Sequence, residues 1–188
     1  MKKRSLVVAS VQLVAVAVTL GAQQMPATTT DRLIRLGFAG GVVVPRTGAT
    51  VQSLKTGMQG LGFVLLQLPG GLPALRFNFD YAKMDFDRPT TNTSTATPTG
   101  DRTVVDGVAG MKVDLIRGPI RPYIMAGLGA FNVKDAIAAT ATTGATSTSA
   151  LNVGVDGGAG IALKLGPIDG FIETRLQNVW TKQGGAWI

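Results

Sequence analysis

Residues 106–131 read DGVAGMKVDLIRGPIRPYIMAGLGAF, and the alternation of these letters decides the fold. On the first arm Gly107, Ala109, Met111, Val113 and Leu115 fall on one side, with Asp106, Lys112 and Asp114 on the other. Successive side chains of a β-strand point to opposite faces, so this period of two marks a strand with one apolar and one charged face. Arg117-Gly118-Pro119-Ile120 then turns the chain tightly into a second arm. A long apolar face backed by a charged one is what a membrane-spanning barrel strand requires.

The unit repeats on both sides. Towards the N-terminus, residues 75–87 set Leu75, Phe77, Phe79 and Tyr81 against Arg76, Asn78, Asp80 and Ala82, with a bulge or a membrane edge expected near Lys83. Residues 57–68 are more continuously apolar, and their two faces cannot be told apart. Residues 35–44 place Leu36, Phe38, Val42 and Val44 opposite Arg35, Gly37, Ala39 and Gly41. Towards the C-terminus, residues 150–165 oppose Leu151, Val153, Val155 and Ile161 to Asn152, Asp156, Gly160 and Lys164. Residues 170–180 oppose Ile172, Leu176 and Trp180 to Glu173, Arg175 and Gln177. Tight turns at 69–73, 117–120 and 166–169 alternate with longer polar connections at 45–56, 88–102 and 134–149. An antiparallel up-and-down meander of this form is how outer-membrane barrels are built, with the short turns on the periplasmic side. The expected fold is therefore all-β, a transmembrane barrel of eight strands, since bacterial single-chain barrels use an even number. Only residues 186–188 remain for the eighth strand, so it is expected to be incomplete, leaving a gap between the first and seventh strands.

Composition agrees. The chain has 188 residues, 45% hydrophobic and only 15% charged, with a mean hydropathy of +0.27. Past residue 22, however, no apolar run approaches the roughly 20 residues of a spanning helix, whereas a spanning strand needs about 9–11. Residues 1–22 read as a cleaved secretory signal: basic Lys2, Lys3 and Arg4, an apolar core over 6–20, and small Gly21 and Ala22 near the cut. Residues 23–34 are a polar lead-in and 35–188 the barrel. Setting the leader's three cations aside, 15 basic residues face 11 acidic ones, scattered rather than clustered. Without a basic stripe or a stacking platform, nucleic acid is not an expected partner.

Pro122-Tyr123-Ile124-Met125-Ala126-Gly127-Leu128-Gly129 resembles the fifth-strand motif of small outer-membrane barrels of the OmpA-like and opacity-protein-like superfamily. Phe171-Ile172-Glu173-Thr174-Arg175-Leu176 is similar to their seventh-strand motif with inward Glu and Arg. The resemblance spans about residues 35–180 as a pattern. It implies an eight-stranded barrel in the bacterial outer membrane, and it carries no catalytic residue over.

The polar face distinguishes a membrane barrel from a soluble one, whose lumen would be apolar. It carries Arg35, Arg76, Lys112, Lys164 and Arg175 together with Asp80, Asp106, Asp114, Asp156 and Glu173. Equal numbers of opposite charges among small residues suit a narrow lumen in which buried charges must pair. Arg46, Lys55, Arg88, Arg102 and Lys134 fall at the loop end and are candidate contacts for lipopolysaccharide phosphates.

The chain has no histidine and no cysteine. This removes Ser-His and Cys-His nucleophile systems and most zinc and haem sites. The glycine clusters at 37–41 and 157–160 lack the Gly-Lys-Ser/Thr of a phosphate loop and read as close strand packing. The expectation is a non-enzymatic, monomeric barrel without cofactor or metal, whose partners are outer-membrane lipids. Its role is structural or surface interaction, the alternative being a narrow channel or carrier for small solutes.

Overall fold

The computed structural model describes residues 5–18, 34–47, 54–69, 72–86, 100–137, 144–165, 168–180, 182–183 and 186–187. The main strands are β1 (Ser5–Val18), β2 (Ile34–Thr47), β3 (Gly57–Leu66), β4 (Ala74–Asp85), β5 (Gly100–Asp114), β6 (Ile120–Ile137), β7 (Thr146–Leu165) and β8 (Ile168–Trp180). Two short pieces follow, β9 (Lys182–Gln183) and β10 (Ala186–Trp187). From β2 to β8 every strand pairs antiparallel with the next, and each of these ladders runs without a register shift. This is the all-β, up-and-down architecture that the alternation requires.

The expected gap is not open. β1 pairs antiparallel with β2 on one side and β8 on the other, and the strand order β1 to β8 closes into a barrel. The eighth position is thus taken by residues from the N-terminal segment, while β9 and β10 pair only with each other. The physical reason lies in the two edges: β2 and β8 would otherwise each present a row of unpaired N–H and C=O groups. A Val-rich segment of 14 residues is long enough to satisfy both. β1 is also the irregular member, with its register shifting between Gln12 and Ala15 against both neighbours.

Several details differ from the sequence reading: β2 runs on to Thr47, and β5 already begins at Gly100. Within 134–149, read as loop, residues 134–137 continue β6 and 146–149 begin β7, and their ladder reaches Ile137 opposite Thr146. Residues 146–151 are exposed and rich in Ser and Thr, so no apolar period marks them although Thr suits a strand. No bulge occurs at Lys83, since the β4–β5 ladder continues through Lys83 opposite Thr103 to Asp85 opposite Asp101. What changes there is the outward face, from Phe79 and Tyr81 to Lys83 and Asp85.

The hairpin that opened the reading has the expected tight turn. The Leu115 N–H donates to the Pro122 carbonyl at 2.8 Å, and Gly118 has φ 153°, a backbone conformation few residues other than glycine adopt. Outward faces are apolar, with Phe38, Phe79, Leu128, Leu151 and Leu176 all more than half exposed. Among the described residues, inward faces hold two apolar clusters. One, towards the long-loop end, contains Val43, Met84, Val104, Val108, Phe131 and Val179. The other, towards the short-turn end, contains Ala39, Leu61, Tyr123, Ala162 and Phe171, with Phe63 against it.

Glycines on the inward face of β7 make room for the largest of these side chains. A Cβ on Gly154 would meet the Phe131 ring at 2.9 Å, one on Gly158 the Arg175 Cγ at 3.0 Å, and one on Gly160 the Tyr123 ring at 2.6 Å. The close-packing reading of the 157–160 cluster has this geometric form: three bulky inward residues lie across strand backbone that carries no side chain.

Candidate functional site

The site is the charged interior. Inward parity carries residues from β3, β4, β5, β7 and β8 into one middle layer. At its centre Arg175 has a side chain with 0% exposure. Its Nη1 donates to both oxygens of Asp80 at 2.9 Å, its Nε donates to Asp156 at 3.0 Å, and its Nη2 also contacts Asp156. A guanidinium suits this place because its planar fork can serve two carboxylates at once. Gln59 adds a bond to Asp80 at 2.7 Å.

Asp106 stands directly across the β4–β5 ladder from Asp80. It is buried, and its Oδ1 has no hydrogen-bond partner in the protein. The middle layer therefore sets three carboxylates against one guanidinium. The Asp156 Oδ1, the Gln59 Oε1 and the Gln177 Nε2 are also without protein partners.

A second layer lies one step nearer the short turns. Arg76 grips Glu173 with both terminal nitrogens, at 2.5 and 3.2 Å, and the Tyr123 hydroxyl donates to the same carboxylate at 2.6 Å. The Arg76 Nε donates to Asn78 at 2.8 Å, and its guanidinium sits 4.3 Å from the centroid of Phe63. Phe63 meets Phe171 edge-on at 5.4 Å, so the ion pair rests on an aromatic wall. Glu173 lies 4.0 Å from the Arg175 Nε and links the two layers.

At the short-turn mouth Arg35 and Arg121 both donate to the Asp169 Oδ2, at 3.1 and 2.7 Å. Lys112 pairs with Asp114 two residues along its strand, and its ammonium lies 4.2 Å from the Tyr123 ring centroid.

Of the ten charges assigned to the lumen from sequence, nine occupy these layers: Arg35, Arg76, Asp80, Asp106, Lys112, Asp114, Asp156, Glu173 and Arg175. Lys164 shares their strand face but is exposed at the turn end of β7, past the last inward layer. Sequence reasoning did not include Arg121, Tyr123, Gln59 or Asp169 in the network. The parity of β6 and β8 could have supplied three of them, since Arg121 and Tyr123 alternate with Ile124, and Asp169 with Ile172. Gln59 was hidden by the ambiguous faces of β3.

Of the five loop-end cations, Lys55 and Lys134 are exposed. Arg102 differs from its assignment to an outward rim: it is 6% exposed and donates to both oxygens of Asp135 at 2.6 and 2.7 Å. The reason is that β5 begins at Gly100, which gives Arg102 the inward parity of Val104 and Asp106. Arg46 lies within β2, and Arg88 lies outside the described residues. Among the described residues, no three carboxylates are arranged to hold a metal ion.

No family model matches the chain, and no curated protein matches it. Among solved structures it is similar to Ail, the attachment invasion locus protein of Yersinia pestis. The complex of Ail with the heparin analogue sucrose octasulfate aligns at a TM-score of 0.40 and 11% identity, over 95% of this chain and 97% of that one. Ail without that ligand aligns at a TM-score of 0.36, again at 11% identity and over the same shares.

Proposed function

We propose that this chain is a small bacterial outer-membrane barrel, plugged by its own ion pairs, with a structural or surface-interaction role. The observation that carries the reading is the inversion of polarity. Apolar Phe38, Phe79, Leu128 and Leu176 face outward, while Asp80, Asp156, Glu173 and Arg175 are buried inside. In water, an apolar surface running round a barrel would drive association, since soluble monomers rarely expose patches beyond a few hundred Å². In a bilayer the same surface is solvated, and the unbroken β2–β8 ladders pair the backbone of the strands between them, which hydrocarbon requires.

The short turns then lie in the periplasm, and the long loops face outward with Lys55 and Lys134 near lipopolysaccharide phosphates. The barrel works as a monomer without cofactor, and its chemistry is recognition rather than catalysis. Residues 1–22 act as an export leader removed after translocation. The double register break in β1, against unbroken ladders elsewhere, supports this. With residues 1–22 gone, the β2 and β8 edges carry the barrel's unpaired backbone. Intact mass of the membrane-extracted protein tests the leader: an N-terminus still containing Ser5–Val18 would overturn cleavage.

Folding into lipid vesicles tests the whole. Leu128→Arg should lower barrel stability by about 2–4 kcal/mol, the effect of an arginine at a lipid-facing midplane. A change within roughly 0.5 kcal/mol, as on a wet surface, would refute the membrane reading. The second reading, a narrow channel or carrier, is favoured by a recess of about 40 Å³ at the short-turn mouth. Eight strands leave an interior that side chains fill, and steady conductance of the refolded barrel in a planar bilayer would replace the plugged reading with this one.

A further inference from the structure

The mouth recess has a charge pattern that the plug does not need. Its wall carries four cations, Arg35, Arg76, Lys112 and Arg121, and a single carboxylate, Asp169. Two of the cations have carboxylates of their own nearby: Arg76 holds Glu173, and Lys112 holds Asp114. Among the described residues Arg35 and Arg121 do not, and both lean on one oxygen, the Asp169 Oδ2. The Arg121 Nε is buried without any acceptor in the protein. Among the described residues, one positive charge and the Arg121 Nε–H are thus left uncompensated beside an open volume. A partly buried guanidinium in that state is unfavourable unless an acceptor completes it.

We propose that the short-turn mouth is a binding site for a phosphate-type oxyanion, held between Arg35 and Arg121 and completed by the Arg121 Nε. Several acceptor oxygens on one compact, negatively charged group answer both guanidinium forks together, which a single carboxylate oxygen does not. The size agrees. A cavity of about 40 Å³ exceeds the roughly 10–15 Å³ that one water needs, which leaves room for a compact oxyanion beside the two arginines. Inorganic phosphate and the phosphate of a lipid headgroup share this chemistry.

The test uses the full chain refolded in an uncharged, phosphate-free detergent at low ionic strength, titrated calorimetrically with inorganic phosphate. Saturable one-site binding is expected. Arg121→Gln should weaken it about tenfold or more, the effect of losing a charge-assisted hydrogen bond. Asp169→Asn should tighten it, because both guanidiniums lose their shared competitor. Lys83→Gln, at the far end of β4 and exposed, should leave it unchanged. If Arg121→Gln does not refold, Arg35→Gln carries the same expectation. Absence of saturable binding, equal affinity in the arginine variant, or weaker binding in Asp169→Asn would each overturn the site. Repeating the titration in phosphatidylglycerol nanodiscs identifies the source. Lost phosphate binding there shows a headgroup already seated, and retained binding shows a free oxyanion.

Discussion

Removing the Arg175 guanidinium is the sharpest perturbation the lumen offers. In Arg175→Ala, Asp80 loses two bonds of 2.9 Å and Asp156 loses its bond of 3.0 Å together with the Nη2 contact. Asp80, Asp106 and Asp156 then share the middle layer without the cation that, among the described residues, compensates them. Breaking a buried pair in this way costs about 3–5 kcal/mol, most of it the uncompensated charge left behind. With a urea slope of about 2 kcal/mol per molar, the unfolding midpoint should fall by roughly 1.5–2.5 M. Lys83→Ala is the control: Lys83 is 53% exposed and lies 3.5 Å from Asp101, and such exposed pairs contribute about 0–1 kcal/mol. Its midpoint should move by less than about 0.5 M. Midpoints are read by tryptophan fluorescence and by the heat-dependent gel shift of the folded barrel. Adding Asp80→Asn to Arg175→Ala should restore part of the loss, because one stranded charge disappears with its partner. Equal midpoints for the Arg175 and Lys83 variants would refute the reasoning and show the middle layer to be hydrated like a surface.

Asp106 should behave in the opposite way to the arginine. It faces Asp80 across the ladder with one oxygen unpartnered, so Asp106→Asn should raise stability by about 1 kcal/mol, and a lowered urea midpoint would show that its charge is needed. The glycines separate by position. Gly160→Ala would place a Cβ 2.6 Å from the Tyr123 hydroxyl and from the Ile172 carbonyl, and should lower stability by about 1–3 kcal/mol through overpacking. Gly60→Ala meets nothing within 4 Å and should be neutral or slightly stabilising; similar midpoints for the two variants would contradict the packing described for β7.

How much of this was legible in the sequence varies from one residue to another. The inward set on β4 and β8 could be read directly, because Arg76, Asn78 and Asp80, or Glu173 and Arg175, differ in position by two. Strand geometry sends such residues to one face whatever lies opposite. On β3 the same rule had no purchase, since apolar residues stand on both faces. Arg102 was misplaced because a Thr-rich stretch carries no apolar period, and the start of β5 was set too late.

By itself, then, the sequence determined the architecture, seven alternating strands in an antiparallel meander with apolar residues out and charges in. That information is local, carried by period two and by turn residues. Tertiary structure alone decided who meets whom. Glu173 stands two residues from Arg175 yet bonds Arg76, 97 positions away, while Arg175 reaches back to Asp80 on β4. Strand stagger across the lumen sets such partners, and no single strand encodes that stagger. The closing neighbour of β2 and β8 belongs to the same class. An export leader and a spanning strand are both short apolar segments, so composition describes either, and only the unpaired backbone on the two edges selects what fills the slot.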